Sequence, residues 1–258
     1  MMNKVVASCD EAVADIFDGA TIAFGGFVGT GYAVNLIEAL HRKGTRNITA
    51  ISTMAAGGLL PLHEAKQVVK MITSFPVFYM PAHMPQVYNP FEEQLLSGEA
   101  EVEICPQGTL VMRMWMGGGG YAGFYTPVGV GTKVAEGKEM REFDGKQYIL
   151  ERALRVDFAL IKAWKADRWG NLIYRKGAIN FNPAFATAAD VTIVEAEELV
   201  ELGELDPTFI HTPGIYVDRL VVAEPKWPEV KLVWPDQVAE TEIDNLPHVG
   251  RKHIDREI

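Results

Sequence analysis

Two short stretches of this chain carry the residue types best suited to chemistry. The first is Gly25-Gly26-Phe27-Val28-Gly29-Thr30-Gly31, which follows the apolar run Ala20 to Phe24. It precedes Val34, Leu36, Ile37, Ala39 and Leu40, spaced as one face of a helix that closes near Gly44. Strand, glycine turn, helix is an arrangement in which backbone amides approach a phosphate or carbonyl closely and a helix dipole favours negative charge. The spacing is neither the dinucleotide fingerprint nor a Walker loop. On the residues alone the stretch reads equally as a ligand loop or as a tight structural turn. The second is Glu103-Ile-Cys-Pro-Gln-Gly-Thr-Leu110, a strand stopped by Pro106 that presents Gln107 beside Gly108. Ligands of parallel sheets collect at such carboxyl ends, where a glutamine amide can donate to a developing oxyanion. The same position also suits a helix cap or a side chain in solvent.

Other chemistries find less support. The six histidines lack metal-ligand spacing, so no metal site is expected. Cys105 has no nearby Cys/His pairing and reads as a small buried apolar residue, and with Cys9 it is expected to stay a reduced thiol. No Gly-x-Ser-x-Gly elbow is present.

The elements that must position these stretches alternate. Ser8 and Glu11 form a capping box before Ala12, Val13, Ile16 and Phe17, and Asp18-Gly19 ends that helix. Strands are expected at Ile48–Ser52, Val68–Thr73, Val102–Ile104, Asp157–Trp164, Leu172–Arg175, Val191–Glu195 and Ile215–Val222, with a helix at Phe91–Leu96. Asp144-Gly145 between strand-like flanks predicts a hairpin. Phe75 to Pro90, with Met80, His83 and Met84, reads as an irregular excursion lining a pocket, and Gly117 to Gly123 as a second glycine-rich stretch. The fold class is α/β: an open, mainly parallel sheet covered by helices, with an additional hairpin region. One domain over residues 1–224 is expected, followed by an extended tail, 225–258, lying on a surface, for which contact with a partner is expected.

The formal charge of -10, from 34 acidic and 24 basic residues without a Lys/Arg cluster, argues against a nucleic-acid surface. An anionic ligand must then be held by local amides and a few placed cations. Neither a basic, apolar leader nor an 18-residue apolar run is seen, so the expectation is a soluble, cytoplasmic protein off the membrane.

Taken in order, the blocks become recognisable. Asp18-Gly-Ala-Thr-Ile-Ala-Phe-Gly-Gly-Phe-Val-Gly-Thr-Gly31 resembles the signature of family I coenzyme A transferase α subunits, in which Asp-Gly precedes an apolar triplet and Gly-Gly-Phe. Pro106–Leu110, Phe124–Thr132 with Glu136-Gly-Lys138, Asp157–Asp167, Gly170-Asn171, Asn180–Pro183 and Thr212–Gly214 continue the resemblance to about residue 224. Arg168–Leu172 and Glu201–Pro207 are most like 3-oxoacid and 3-oxoadipate transferase α subunits.

The resemblance implies the CoA transferase-like fold and a ping-pong exchange of CoA between two carboxylic acids, with CoA as a substrate and no permanently bound cofactor. It implies a glutamyl-CoA thioester on a β subunit, because the family's nucleophile lies in a Glu-Asn-Gly context and this chain has no Glu-Asn pair. An α2β2 assembly follows from it. Gln107 matches the family's oxyanion-hole glutamine, and Gly25 to Gly31 matches the loop assigned to CoA. Departures stand at Ala33 (usually proline), at Thr53-Met-Ala-Ala-Gly57 (Asn-Asn-Ala-Gly) and at Arg113-Met-Trp-Met-Gly-Gly118 (Arg-Ile-Arg-Ala-Gly-Gly). Trp115 with Met112, Met114 and Met116 predicts more apolar, adaptable surroundings and a bulkier or less charged acceptor than a small dicarboxylate. Two rival functions are a CoA-transferase-like hydrolase that opens a ring of an acyl-CoA with water, and a ligand-sensing domain.

Overall fold

A computed structural model describes residues 3–76 and 86–233. Its helices are α1 (Cys9–Ala12), α2 (Val34–Lys43), α3 (Leu60–Glu64), α4 (Pro90–Ser97), α5 (Gln107–Gly118) and α6 (Asn182–Ala186). Its strands are β1 (Thr21–Phe24), β2 (Ile48–Ile51), β3 (Val68–Thr73), β4 (Gln86–Val87), β5 (Glu101–Ile104), β6 (Gly123–Thr126), β7 (Met140–Phe143), β8 (Lys146–Arg152), β9 (Val156–Asp167), β10 (Leu172–Ile173), β11 (Ala189–Val200), β12 (Arg219–Val222) and β13 (Leu232–Val233).

The main sheet has the parallel order β12-β11-β9-β1-β2-β3-β5, with β10 folded back antiparallel on β9. From β1 the chain adds β2, β3 and β5 on one side, then returns to add β9, β11 and β12 on the other. Neighbouring strands β1 and β9 therefore form the switch point where connections diverge, the place where open α/β sheets hold ligands. Side chains alternate between two cores, one per face. Ile22, Phe24, Ile48 and Ala50 pack with Leu36 and Leu40 of α2, whereas Ala23 and Ile51 pack with Leu110 and Met114 of α5 and Phe185 of α6. β9 and β11 are covered on both faces, so their middles are near-continuous apolar runs. The exceptions, Lys162 and Glu195, sit opposite each other in register.

The expected hairpin is present: β7 and β8 turn at Asp144 and Gly145, both with positive φ (49° and 73°), and β6 completes a small antiparallel sheet. Several expectations need correction. The strand expected from Ile215 begins only at Arg219, because Pro213-Gly214 turns the chain so tightly that a Cβ on Gly214 would meet the Trp169 carbonyl at 2.3 Å. This leaves Ile215 85% exposed. The Leu172–Arg175 strand stops at Ile173, since the Tyr174 N–H donates to His211 Nδ1 instead of a ladder partner. Helix α1 ends at Ala12 despite its Ser8 cap, and Phe17 is half exposed, its ring edge-on to Phe158. The second glycine-rich stretch is largely the end of α5. Gly117 and Gly118 let that helix press on the Leu154 and Thr187 carbonyls, which a Cβ would meet at 1.8 and 2.4 Å.

Beyond residue 224 the described chain lies on its own body. Lys226 pairs with Glu38 at 2.6 Å, Lys231 pairs with Glu64, and β13 pairs with β4. Met80, His83, Met84, His248 and His253 lie outside the described residues. Among the described residues no helix is long and apolar enough to cross a membrane.

Candidate active site

The glycine stretch leaves β1 at the switch point, where the Gly25 N–H donates to the Leu160 carbonyl of β9. Gly25 is required by space, because a Cβ there would sit 1.8 Å from Asn182 Oδ1. That buried asparagine holds the loop from α6: Oδ1 accepts from the Lys162 N–H (3.1 Å), and Nδ2 donates to the carbonyls of Gly31 (3.0 Å) and Ala178 (2.8 Å). Phe27 and Thr30 exchange two backbone hydrogen bonds of 2.9 Å around Val28 and Gly29, whose φ values are 46° and 77°. A β-branched residue is strained in this left-handed region. Val28 is nonetheless 62% exposed at the tip, while Phe27 packs beneath it on Phe75 and Phe181.

The N-terminus of α2 already has its anion. The fully buried Glu195 carboxylate accepts from the N–H groups of Asn35 (2.9 Å) and Leu36 (3.2 Å) and from Lys162 Nζ (2.9 Å). A phosphate at this loop would therefore meet the turn and its neighbours, with the dipole of α2 satisfied internally. Beside Gly29–Gly31 opens a cavity of about 340 Å³ whose walls carry Lys162, Arg175, Lys176, Lys226 and Trp227. Ligand sites typically occupy cavities of this order.

Gln107 opens α5 at the far end of the same carboxyl edge, beyond β2 and β3. Pro106 holds the N-cap position, so the glutamine is the first helical residue and not the cap. The turn before it is tied to the sheet by the Cys105 N–H on the Thr73 carbonyl (2.9 Å). Gln107 Nε2 is buried without a hydrogen-bond partner among the described residues. Leaving such an amide unpaired costs roughly 1–3 kcal/mol, and a ligand or a second chain that accepts from it recovers that cost. The turn and Gln107 thus share an edge without touching. Between them lie Ser52 at the end of β2, whose buried hydroxyl interacts with that of Tyr32, and Thr73 and Ser74 at the end of β3, whose hydroxyls are buried and unpartnered among the described residues. Sequence reading passed these over; their only signal was a hydroxyl residue closing an apolar strand.

Arg113, two turns along α5, sets the start of that helix. Its buried guanidinium donates to Glu103 Oε1 of β5 (2.5 Å) and to the Arg152 carbonyl of β8 (2.8 Å), and lies 3.9 Å from the buried Glu151 carboxylate. Lys138 pairs with Glu151 at 2.6 Å. Cys105 is fully buried, and burial pushes its thiol upward, as it does for Cys9, raised to about 11. Of the methionine-rich segment, Met114 belongs to the core, while Trp115 is half exposed. Among the described residues no cluster of histidine, cysteine and carboxylate groups has metal-binding geometry.

A family model described as coenzyme A transferase matches residues 6–223. This chain belongs to the coenzyme A transferase family. It is 49% identical over 224 residues to one subunit of a probable succinyl-CoA:3-ketoacid coenzyme A transferase of Bacillus subtilis, covering 86% of this chain and 90% of that one. It is 46% identical over 224 residues to one subunit of a 3-oxoadipate CoA-transferase of Acinetobacter baylyi, covering 86% and 95%. Among solved structures, an acyl-CoA transferase of Escherichia coli O157:H7, a thioester complex with CoA, superposes with a TM-score of 0.71 at 22% identity. The match takes in 86% of this family member, which spans about half (47%) of that structure's length. At that identity the likeness is one of fold.

Proposed function

We propose that the chain is the α subunit of a two-subunit CoA transferase that moves CoA from an acyl-CoA to a carboxylic acid, with a 3-oxo acid among its substrates. The buried, unpartnered Nε2 of Gln107 at the carboxyl edge of the sheet carries this reading. It is a buried donor with no acceptor among the described residues, which is what stabilisation of an oxyanion requires. The names of the B. subtilis and A. baylyi relatives support the reaction class and an organisation in more than one subunit. We place the complex in the cytoplasm as an α2β2 assembly.

In this reading a glutamate carboxylate supplied by the partner attacks the donor thioester carbonyl. The tetrahedral oxyanion accepts from Gln107 Nε2 and collapses to an acyl-glutamyl anhydride and CoA thiolate. The thiolate then attacks the glutamyl carbonyl, forming the enzyme thioester and releasing the donor acid. The acceptor carboxylate reverses both steps, and the glutamate returns unchanged. Among the described residues the two most buried glutamates are engaged, Glu195 with Lys162 and α2, and Glu151 with Lys138, which accords with a nucleophile from elsewhere. The Gly25–Gly31 turn and its cavity face the CoA moiety.

The test is to co-express the chain with its partner and follow CoA transfer from acyl-CoA with and without an acceptor acid. Transfer requires both subunits and the acceptor, and Gln107→Ala lowers kcat by about 10²–10³-fold. Thioester consumption without any acceptor would replace this reading with a hydrolase, and full activity in Gln107→Ala would remove the glutamine from the mechanism.

A further inference from the structure

Helix α5 has two faces of different character. Thr109, Leu110, Arg113, Met114 and Gly117 turn inward. Gly108, Met112, Trp115 and Gly119 follow at the spacing of the opposite face, and none of them is charged. Trp115 is 48% exposed there, and beyond the helix end the ring of Tyr121, 64% exposed, continues the face. A Cβ on Gly119 would meet that ring at 3.1 Å, and the Tyr121 N–H donates to the Met116 carbonyl at 2.9 Å. The lack of charge extends further. From Ile104 to Thr132 the sequence has one charged residue, Arg113, which is buried beside Glu103 and Glu151, in a chain that is 22% charged.

A helix face that meets water carries charged and polar side chains. One that presents tryptophan, methionine and tyrosine without charge has the composition of an interface core, where aromatic residues and methionine are enriched and charged residues depleted. Tryptophan is also a residue type in which binding energy concentrates. The face is held rigid, because Gly117 and Gly118 press α5 onto the Leu154 and Thr187 carbonyls, and Arg113 ties it to β5 and β8. A rigid surface loses little freedom on docking.

What covers this face follows from Gln107. On the reading of the chain as one subunit of a two-subunit transferase, the nucleophile arrives on another chain and must meet Gln107, the first residue of α5. Trp115 lies eight residues further along the same helix, about 12 Å by helix geometry. That is too far to touch the reacting atoms, yet well within the footprint of roughly 800 Å² per side that a stable interface needs. A second copy of this chain docked here would cover the start of α5 without supplying the carboxylate that the reaction needs.

We propose that the outer face of α5, formed by Gly108, Met112, Trp115 and Tyr121, is the docking surface for the subunit that carries the nucleophile, with Trp115 as its anchor. Docking there fixes the distance from the nucleophile to Gln107, because both are then referred to one rigid helix.

To test this, the complex of the chain with its partner is diluted, and its dissociation is followed by sedimentation and by transfer activity. Trp115→Ala raises the dissociation constant between the subunits about 30-fold, and Trp115→Arg, which sets a charge on the face, raises it further. The specific activity of both variants falls on dilution at concentrations where that of the parent is constant. Both keep the thermal midpoint of the isolated chain, since this side chain is outside the two cores. Ile215→Ala trims the most exposed large apolar side chain among the described residues, away from α5, and leaves the dissociation constant unchanged. The proposal is overturned if the Trp115 variants dissociate like the parent. It is also overturned if they raise KM for the acceptor acid with assembly unaltered, since the face then holds substrate, or if they abolish self-association of the chain and not its binding to the partner, since a second copy then covers it. If the complex transfers no CoA yet the Trp115 variants still dissociate on dilution, the surface stands and the transferase reading falls.

Discussion

At the scale of single residues, Val28 shows the cost of shaping the glycine turn. Its φ of 46° is unfavourable for a β-branched side chain, and with 62% of its surface exposed it gains little burial in return. Strain of this type costs of order 1–3 kcal/mol, whereas the added backbone freedom of glycine costs roughly 0.5–1 kcal/mol. Val28→Gly is therefore expected to raise the thermal midpoint by a few degrees. If the exposed valine serves the substrate or the partner, transfer activity falls in the same variant. A lower midpoint would show that Val28 is held by contacts worth more than its strain. This conformation was not legible in the sequence, because a Phe-Val-Gly-Thr turn gives no sign that valine itself takes the left-handed position. The space requirement at Gly25 was equally hidden, since it comes from Asn182 on a distant helix.

At the scale of elements, the β5–α5 junction is the part that must be rigid, and Arg113 is what fastens it. One guanidinium ties the strand before Gln107, through Glu103, and the accessory strand β8, through the Arg152 carbonyl, to the helix that Gln107 begins. Lysine keeps the charge but not the planar fork. Arg113→Lys is expected to lower kcat roughly tenfold, about 1.4 kcal/mol of barrier, with the KM for acyl-CoA unchanged. In a Gln107→Ala background the same change costs little more, because residues acting through one another are non-additive. Equal losses in both backgrounds would make Arg113 a purely structural residue. Most strands were legible because their apolar runs sit between turn signals, as at Val68–Thr73, which matches β3 end to end. The lengths of β9 and β11 were not, since polar residues such as Lys165 and Glu198 in their outer halves are accommodated by cross-strand pairing, which only the register reveals. A helix after Gln107 was legible as the one that residue could cap, but the extent of α5 was hidden by its terminal glycines, which serve packing rather than a loop.

For the whole molecule, the sequence indicated which edge of the sheet matters but not how its parts are spaced. The turn and Gln107 were both found from residue type, yet two strands separate them, and the buried hydroxyls between them belong to no motif. The same burial that builds this edge also sets the acid stability of the protein, through His63. The ring, carried by α3, is buried against Phe91 of α4, its Nε2–H donates to the Ala55 carbonyl (2.9 Å), and Nδ1 has no partner among the described residues. Burial pushes its pKa from 6.5 down to about 4. The unfolded chain therefore takes up this proton as the pH falls below about 6.5, whereas the folded chain does not until about 4. Stability is full above the upper value and declines across that window by about 3 kcal/mol. The carboxylates held low by hydrogen bonds, Asp15 through Arg219 and Asp206 through Thr208, lose their contributions only at still lower pH, below the ordinary range of aspartate. His63→Gln keeps a donor for Ala55 and removes the titration. Relative to this variant, the parent's thermal midpoint should fall by roughly 6–12 °C between pH 7 and pH 4. Parallel curves for parent and variant across that range would mean that the ring is protonated in the folded state, with a counter-charge or water at Nδ1.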